Sequence, residues 1–221
     1  MFAGEVFSEQ WRDLVTARIG SRSPWLDTAS LYGTADAGVL GTETPVSIAI
    51  RRFLAETPAA AHEVFGQSRL PTLAQYDPTV RYFETVDGTL VFTADGTLPL
   101  VRYHLADDGG LVGHDAMLAF CRDHGFDPVE QVRRTTDRPS PALPFVYVFG
   151  RSMFAVSFYG ANVYPENVTV GLEQPAVAEW TTGRFVLMVT ESDPPRLRVV
   201  VELAGGLNPD ADRDPVVAAS I

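Results

Sequence analysis

A change of hydrophobic period near residue 80 constrains the fold of this 221-residue chain more than any other feature. Before that point, apolar residues recur at helical spacing. After it, the runs VRYFETV and TLVFTA flank Asp87-Gly88. Two β-rich runs joined by Asp-Gly predict a hairpin, because Asp and Gly tolerate the backbone angles of a tight turn. The predicted fold class is therefore α/β (α+β mixed).

Helix signals come before the hairpin. Ser8 is a predicted N-cap, and Gly20 ends the helix that follows. The apolar residues of that helix recur at helical spacing: Trp11, Leu14, Val15 and Ile19. Thr44-Pro45 and Thr57-Pro58 each combine an N-cap with proline at the first helical position. They predict helices over 45–55 and 58–65, with a short strand and a small-residue loop in WLDTASLYGTADAG.

The second half of the chain adds strands and short helices. TLPLVRYHLADDGG predicts a third strand that ends in acidic and glycine residues, followed by a helix over 115–124 and a polar connector over 127–143. PFVYVFG and FAVSFYG are predicted strands, and Pro165 lies near the start of a short helix. RFVLMVT and LRVVVEL are two further predicted strands. The predicted domains are 1–152 and 153–221.

Composition excludes some functions. The net charge is -11, whereas binding to a phosphate backbone usually requires a clustered basic surface, so no nucleic-acid partner is expected. The single cysteine, Cys121, fits a reducing compartment and is predicted to be a buried small residue. We expect a cytoplasmic protein, because no signal peptide or membrane span is evident. All seventeen basic residues are arginine, so no lysine is available for catalysis.

Three short segments carry residues suited to ligand binding, each at the end of a predicted strand. In the first, SLYGTADAG, Tyr32 offers a stacking face, Thr34 a hydroxyl and Asp36 a carboxylate that could hold Mg²⁺. The alternative is an ordinary tight turn. In the second, Asp107 and Asp108 could accept hydrogen bonds from a ribose diol. The alternative there is a solvated acidic loop.

The third segment runs from Tyr147 to Val168. Arg151 could make a forked contact to a phosphate or carboxylate, or only a surface ion pair. Gly160 could permit positive φ or close approach of a ligand, or it could simply end a strand. The sequence contains no metal-ligand spacing among its histidines and no nucleophile elbow.

Taken in order, these segments resemble motifs of the adenylate-forming superfamily, specifically the phenylacetate–CoA ligase-like branch of the AMP-forming acyl-CoA synthetases. That family shows Gly-Glu before a helix, Tyr-Gly-Thr-Thr-Glu, Arg-Tyr-Arg-Thr-Gly-Asp, Gly-Arg-Ser-Asp-Asp and Gly-x-Asn-Val-Tyr/Phe-Pro. The matching pieces of this chain are Gly4-Glu5, Tyr32-Gly33-Thr34-Ala35-Asp36, Arg102 to Asp107, Gly150-Arg151-Ser152 and Gly160 to Pro165. The resemblance covers nearly the whole chain, and the interval from Gly150 to Gly160 equals that of the family.

The resemblance implies a two-step ligase that uses ATP, Mg²⁺ and CoA. A carboxylic acid and ATP would give an acyl-adenylate, and CoA would then form a thioester. Residues 1–152 would belong to the large adenylation domain and 153–221 to the small mobile domain. Catalytic roles would fall to Thr34, Asp36 (the Mg²⁺ ligand) and Arg151. The other implied site residues are Gly4, Glu5, Tyr32, Gly33 and Asp107 for the nucleotide, Gly160, Ala161 and Asn162 for the CoA path, and Met153 for the hinge.

The chain also departs from the family pattern. Asp36 replaces a glutamate, and Met153-Phe154 replaces the paired aspartates at the hinge. The family's upstream phosphate loop and C-terminal lysine have no counterpart here, so the sequence is expected to be a fragment that is inactive alone. Exposed surface on such a fragment could support a homodimer. Two alternatives stay open: a non-catalytic nucleotide- or acyl-binding relative, and an adenylating enzyme with an acceptor other than CoA.

Overall fold

A computed structural model of the chain describes residues 2–3, 7–21, 23–67, 69–96, 98–137, 139–150, 156–159, 161–190, 194–207 and 213–221. The chain divides into two compact units, Met1–Arg151 and Ser152–Ile221. Whether these units are the domains of an adenylating enzyme stays a prediction. Within the described ranges, no helix combines the length and the apolar character that crossing a membrane requires.

The first unit combines eight strands with six helices among its described residues. The strands are β1 (Phe2–Ala3), β2 (Ser30–Thr34), β3 (Gly38–Thr42), β4 (Thr72–Gln75), β5 (Arg81–Val86), β6 (Thr89–Ala94), β7 (Leu100–Val112) and β8 (Phe145–Gly150). The helices are α1 (Glu9–Arg18), α2 (Pro24–Asp27), α3 (Pro45–Glu56), α4 (Pro58–Phe65), α5 (His114–Asp123) and α6 (Pro128–Arg133).

The eight strands form one sheet in the order β1-β2-β3-β4-β8-β7-β6-β5. β1 and β2 pair in parallel, and the other described pairs are antiparallel. The mixture of helices and strands agrees with the predicted class, and the antiparallel pairing favours its α+β form. The Asp87-Gly88 hairpin is confirmed, since β5 and β6 pair around it and these two residues have φ of 50° and 78°.

Both faces of the sheet are buried, which explains the unbroken apolar run in β8. Phe145 and Phe149 belong to a core shared with helices α3 to α6, whereas Val146 and Val148 point into a second core on the other face. A strand covered on both sides needs apolar side chains at successive positions. The apolar run that follows Pro144 therefore belongs to a strand, β8, that is covered on both faces of the sheet.

The sheet also curls on itself. In the strand order, β2 and β5 are six steps apart, and a flat sheet would separate them by about 29 Å at about 4.8 Å per step. Their side chains nevertheless meet, because the rings of Tyr32 in β2 and Phe83 in β5 have centroids 6.2 Å apart. Arg81 at the start of β5 also bonds the carbonyl of Val39 in β3, at 3.4 Å. The curl brings the two ends of the sheet together around the second core.

The predicted helix boundaries are largely confirmed. The hydroxyl of Ser8 accepts a hydrogen bond from the Trp11 amide, and Gly20 follows the helix with φ of 68°. Thr44 caps α3 in the same way, with Pro45 at the first position. The helix predicted from the spacing of the apolar residues is confirmed as α1, although its buried residues are polar and Ile19, which follows the helix, is 64% exposed. Its buried residues are Glu9, Arg12 and Thr16.

Other predictions need correction. Asp107 and Asp108 were expected to follow a strand, yet they lie inside β7, which continues to Val112. The strand runs on because an irregular register with β6 and β8 accommodates positive φ at Arg102 and Ala106. The predicted connector over 127–143 contains α6, which Asp127 caps by accepting bonds from two backbone amides. α2, β3 and β4 were not predicted.

The second unit contains β9 (Val156–Phe158), β10 (Ala161–Val163), α7 (Pro165–Leu172), α8 (Pro175–Ala178), β11 (Thr181–Thr190), β12 (Arg196–Leu203) and α9 (Asp214–Ser220). The predicted start of α7 at Pro165 is confirmed, as are the two strands of the β11–β12 hairpin. One face of that hairpin packs on a small core around Val168, Leu172 and Val177.

The only cysteine, Cys121, is fully buried in the helix-side core of the first unit. Burial raises the pKa of its thiol to about 12, so almost no thiolate exists at neutral pH. We expect a thiol-specific disulfide reagent at pH 8 to leave the folded chain unmodified and to modify one thiol after denaturation. Fast reaction of the native protein would contradict this placement.

Candidate functional site

The first predicted motif forms the hairpin of β2 and β3. A Cβ added to Gly33 would lie 2.4 Å from the carbonyl oxygen of Gly38, so only glycine fits the close approach of these strands. The hydroxyl oxygen of Thr34 accepts a hydrogen bond of 3.0 Å from the Ala37 amide and closes the turn. The tight turn is therefore present, and the phosphate contact implied for Thr34 stays a prediction.

The first and second motifs meet through two reciprocal hydrogen bonds, which we call the tyrosine–aspartate clasp. The hydroxyl of Tyr32 in β2 donates to Oδ2 of Asp107 in β7, at 3.0 Å. The hydroxyl of Tyr103 in β7 donates to Oδ2 of Asp36 in the β2–β3 turn, at 2.9 Å. Each tyrosine precedes its own motif's aspartate by four residues, and each bonds the aspartate of the other motif. Tyr103 was not predicted as a site residue, although it lies in the second motif, between Arg102 and Asp107.

The clasp follows from the curl of the sheet. β2 and β7 are four steps apart in the strand order, and the side chains reach each other only because the sheet closes over its second core. Tyr32 is 8% exposed and its ring lies at 25° to that of Phe83. The ring of Tyr103 packs against buried Phe92, with centroids 5.5 Å apart. Both phenol rings are therefore held by neighbours, and the hydroxyls have defined positions.

A cleft of about 360 Å³ opens beside Asp36, where the two ends of the curled sheet meet. Its lining includes Asp36, Arg81 and Asp95, together with small residues of the two turns. The Arg81 guanidinium donates to the backbone carbonyls of Val80 and Asp95, at 3.0 and 3.3 Å. The cleft therefore combines carboxylates with a cation, and neither Arg81 nor Asp95 was singled out from the sequence.

The third motif is only partly described. Asp108 pairs with Gly150, the last residue of β8, so the strand that leads to the third motif lies beside the second motif. Gly4, Glu5, Arg151, Met153 and Gly160 lie outside the described residues, and their roles stay predictions. Ala161 and Asn162 lie in β10 of the second unit, opposite Phe158 and Ser157. Their implied place on the CoA path stays a prediction.

A buried charge network that the sequence reasoning missed lies beneath α1. The Arg12 guanidinium is 0% exposed and contacts the carboxylates of Glu9 and Glu43, at 2.9 and 2.8 Å. Arg51 of α3 also bonds Glu9 and donates to the Pro71 carbonyl, at 2.8 Å. Glu43 accepts a further bond of 2.7 Å from the Ser30 amide in β2. The Glu9–Arg12 spacing of three on α1 was a readable signal.

The network is electrostatically matched. Burial by itself lowers the pKa of the Arg12 guanidinium, but the charges of Glu43 and Glu9 and their hydrogen bonds outweigh that effect and raise it. Arg12 is therefore charged at any physiological pH. Because the network joins α1, β2 and the start of α3, it fixes the helical layer beside the hairpin that carries Tyr32 and Asp36.

Among the described residues, no group of three or more His, Cys, Asp or Glu side chains could hold a metal ion. A single carboxylate such as Asp36 still fits Mg²⁺ delivered with a nucleotide, because protein-bound Mg²⁺ commonly takes one or two carboxylates and completes its shell with phosphates and water. The described carboxylates are thus compatible with a nucleotide-borne Mg²⁺.

Comparison with known proteins identifies no family for this chain: no protein-family model matches it, and a search of curated proteins finds no significant match.

Proposed function

We propose that this chain forms part of the nucleotide site of an ATP-dependent, AMP-forming carboxylate–CoA ligase. The observation that carries the proposal is the hydrogen bond between Tyr32 and Asp107. These residues are 75 positions apart. Resemblance to the phenylacetate–CoA ligase-like enzymes assigns them to the same nucleotide, the first to adenine and the second to ribose. Their meeting supports that assignment, because it brings together two side chains that one bound nucleotide would contact.

Each described residue has a definite task under this proposal. The Asp107 carboxylate would accept hydrogen bonds from the ribose hydroxyls, as acidic residues do in other nucleotide sites. The Tyr32 ring would meet adenine, which requires the nucleotide to reach a side chain that is now mostly buried. Asp36 would hold Mg²⁺, which stabilises the charge that develops on the transferred phosphate. Thr34 would contact that phosphate, beside the turn that its own hydroxyl closes.

The test is nucleotide binding by the 221-residue chain, measured by calorimetry with AMP. We expect Asp107→Asn to weaken AMP binding by about tenfold, because hydrogen bonds to a charged acceptor are replaced by weaker neutral ones. The matched control is Asp108→Asn, one residue along the same strand, which should leave affinity within about twofold. The same affinity for AMP in the Asp107 variant as in the wild type would contradict the ribose assignment, and absence of AMP binding by the wild type would contradict the proposal itself.

A second candidate is a non-catalytic nucleotide- or acyl-binding relative. The replacement of the hinge aspartates by Met153-Phe154 and the altered motif that ends at Asp107 favour it. ATP–pyrophosphate exchange by the protein encoded at this locus, with a panel of carboxylic acids, separates the two functions. Robust exchange would exclude the non-catalytic relative, and product analysis with and without CoA would then identify the acceptor.

A further inference from the structure

We infer that Tyr32 and Tyr103 are positioning residues, which hold the two carboxylates of the proposed nucleotide site through the tyrosine–aspartate clasp. The inference rests on the proposed function for the identity of the ligands: a ribose diol at Asp107 and a phosphate-bound divalent cation at Asp36. The clasp itself is independent of that function. Its two bonds, of 3.0 and 2.9 Å, connect β2 and its turn with β7, strands that are not neighbours in the sheet.

The geometry favours positioning over blocking. A carboxylate has about four lone-pair sites, and one phenolic hydroxyl occupies one of them. In each described bond of the clasp the tyrosine contacts Oδ2. A neutral donor on one oxygen limits rotation of the carboxyl group and leaves its negative charge intact. The tyrosine hydroxyl therefore fixes the direction of the carboxylate without neutralising it.

The clasp also explains how a short aspartate can serve at position 36. Aspartate reaches one methylene less far than glutamate, and Asp36 lies in the turn between β2 and β3. The Tyr103 hydroxyl anchors it from β7, and Phe92 holds the Tyr103 ring. The carboxylate is thereby kept at the wall of the 360 Å³ cleft that also contains Arg81. A cation-bound phosphate in that cleft would find both the Asp36 carboxylate and Arg81 in its lining.

Removing the Tyr32 hydroxyl should affect recognition of the ribose, and removing the Tyr103 hydroxyl should affect binding of Mg²⁺. A general loss of structure would weaken both equally. Tyr32→Phe removes the hydroxyl on Asp107 and should reduce the preference for AMP over 2′,3′-dideoxyadenosine monophosphate by roughly fivefold. Its affinity for the dideoxy nucleotide should fall less than its affinity for AMP, because phenylalanine keeps the ring that is proposed to meet adenine. Tyr103→Phe should leave that preference intact and raise the Mg²⁺ concentration for half-maximal ATP binding by roughly threefold, a smaller effect because its bond is exposed.

The experiment measures AMP, dideoxy-AMP and Mg²⁺-dependent ATP binding for the 221-residue wild type, the two variants and Tyr82→Phe. Tyr82 lies on β5, is 59% exposed and should change none of the values. Crossed effects, with Tyr32→Phe changing only the ribose preference and Tyr103→Phe only the Mg²⁺ dependence, support the inference. If the wild type binds AMP and both variants either match it or lose every affinity equally, the positioning role is refuted while the proposed function stands. If the wild type binds no nucleotide, both are refuted.

Discussion

Replacement of Arg12 by alanine is expected to lower the free energy of unfolding by about 3–5 kcal/mol, because it removes the cation from the buried Glu43 carboxylate and one of the cations from Glu9. Arg12 is 0% exposed, and its partners Glu9 and Glu43 are 8% and 5% exposed. Water cannot replace the guanidinium without opening α1 away from the hairpin of β2 and β3. Urea unfolding followed by tryptophan fluorescence measures the loss, since Trp11 and Trp25 lie in α1 and α2.

Arg18→Ala is the matched control for this measurement. Arg18 lies on the same helix and is exposed. Its replacement by alanine should lower the free energy of unfolding by less than about 1 kcal/mol. Adding Glu43→Gln to Arg12→Ala should recover part of the loss, because one uncompensated buried charge is removed. A cost below about 1 kcal/mol for Arg12→Ala would show that the network does not stabilise the first unit.

The second large effect is expected at Gly109 in β7. A Cβ at this position would lie 2.2 Å from the backbone carbonyl oxygen of Tyr147 in β8, and 3.0 Å from the Leu90 side chain. Backbone atoms cannot rotate aside as a flexible side chain can, so Gly109→Ala must separate β7 from β8 locally. We expect a destabilisation of about 3 kcal/mol in urea unfolding. Because Asp107 lies two residues away, AMP affinity should fall in the same variant.

Gly96→Ala provides the control for this substitution. Gly96 lies in the turn after β6, and the nearest atom to an added Cβ is the Leu98 carbonyl oxygen at 3.9 Å. Alanine fits there, and the stability should change by less than about 1 kcal/mol. Equal stabilities of the Gly109 and Gly96 variants would contradict the tight pairing of β7 with β8.

Elements with strong local signals were predictable from the sequence. The caps at Ser8 and Thr44, the proline at position 165 and the Asp87-Gly88 turn each depend on the chemistry of one to four residues. The extent of β7 was not predictable, because acidic and glycine residues at 107–110 have low strand propensity. The pairing of Asp108 with Gly150 and Thr89 overrides that propensity through partners that are distant along the chain.

The burial of polar residues on α1 was not predictable for a related reason. Hydrophobic period identifies the buried side only when the buried side is apolar. Here Arg12 is buried because Glu43 and Arg51, from other elements, complete its network. Within α1 only the Glu9–Arg12 spacing indicates an ion pair, and nothing in that helix indicates the partners Glu43 and Arg51.

The sequence by itself determined the mixture of helices and strands, the main hairpins and the candidate residues Tyr32, Asp36 and Asp107. The helices, strands and hairpins depend on residues that are close together in the chain, and the candidate residues depend on the order of the three motifs. The tertiary structure alone decided that these residues meet, and that Tyr103 joins them. The reason is the curl of the sheet: contacts between strands four and six steps apart depend on accumulated twist and on packing of the second core, which no short stretch of the chain encodes.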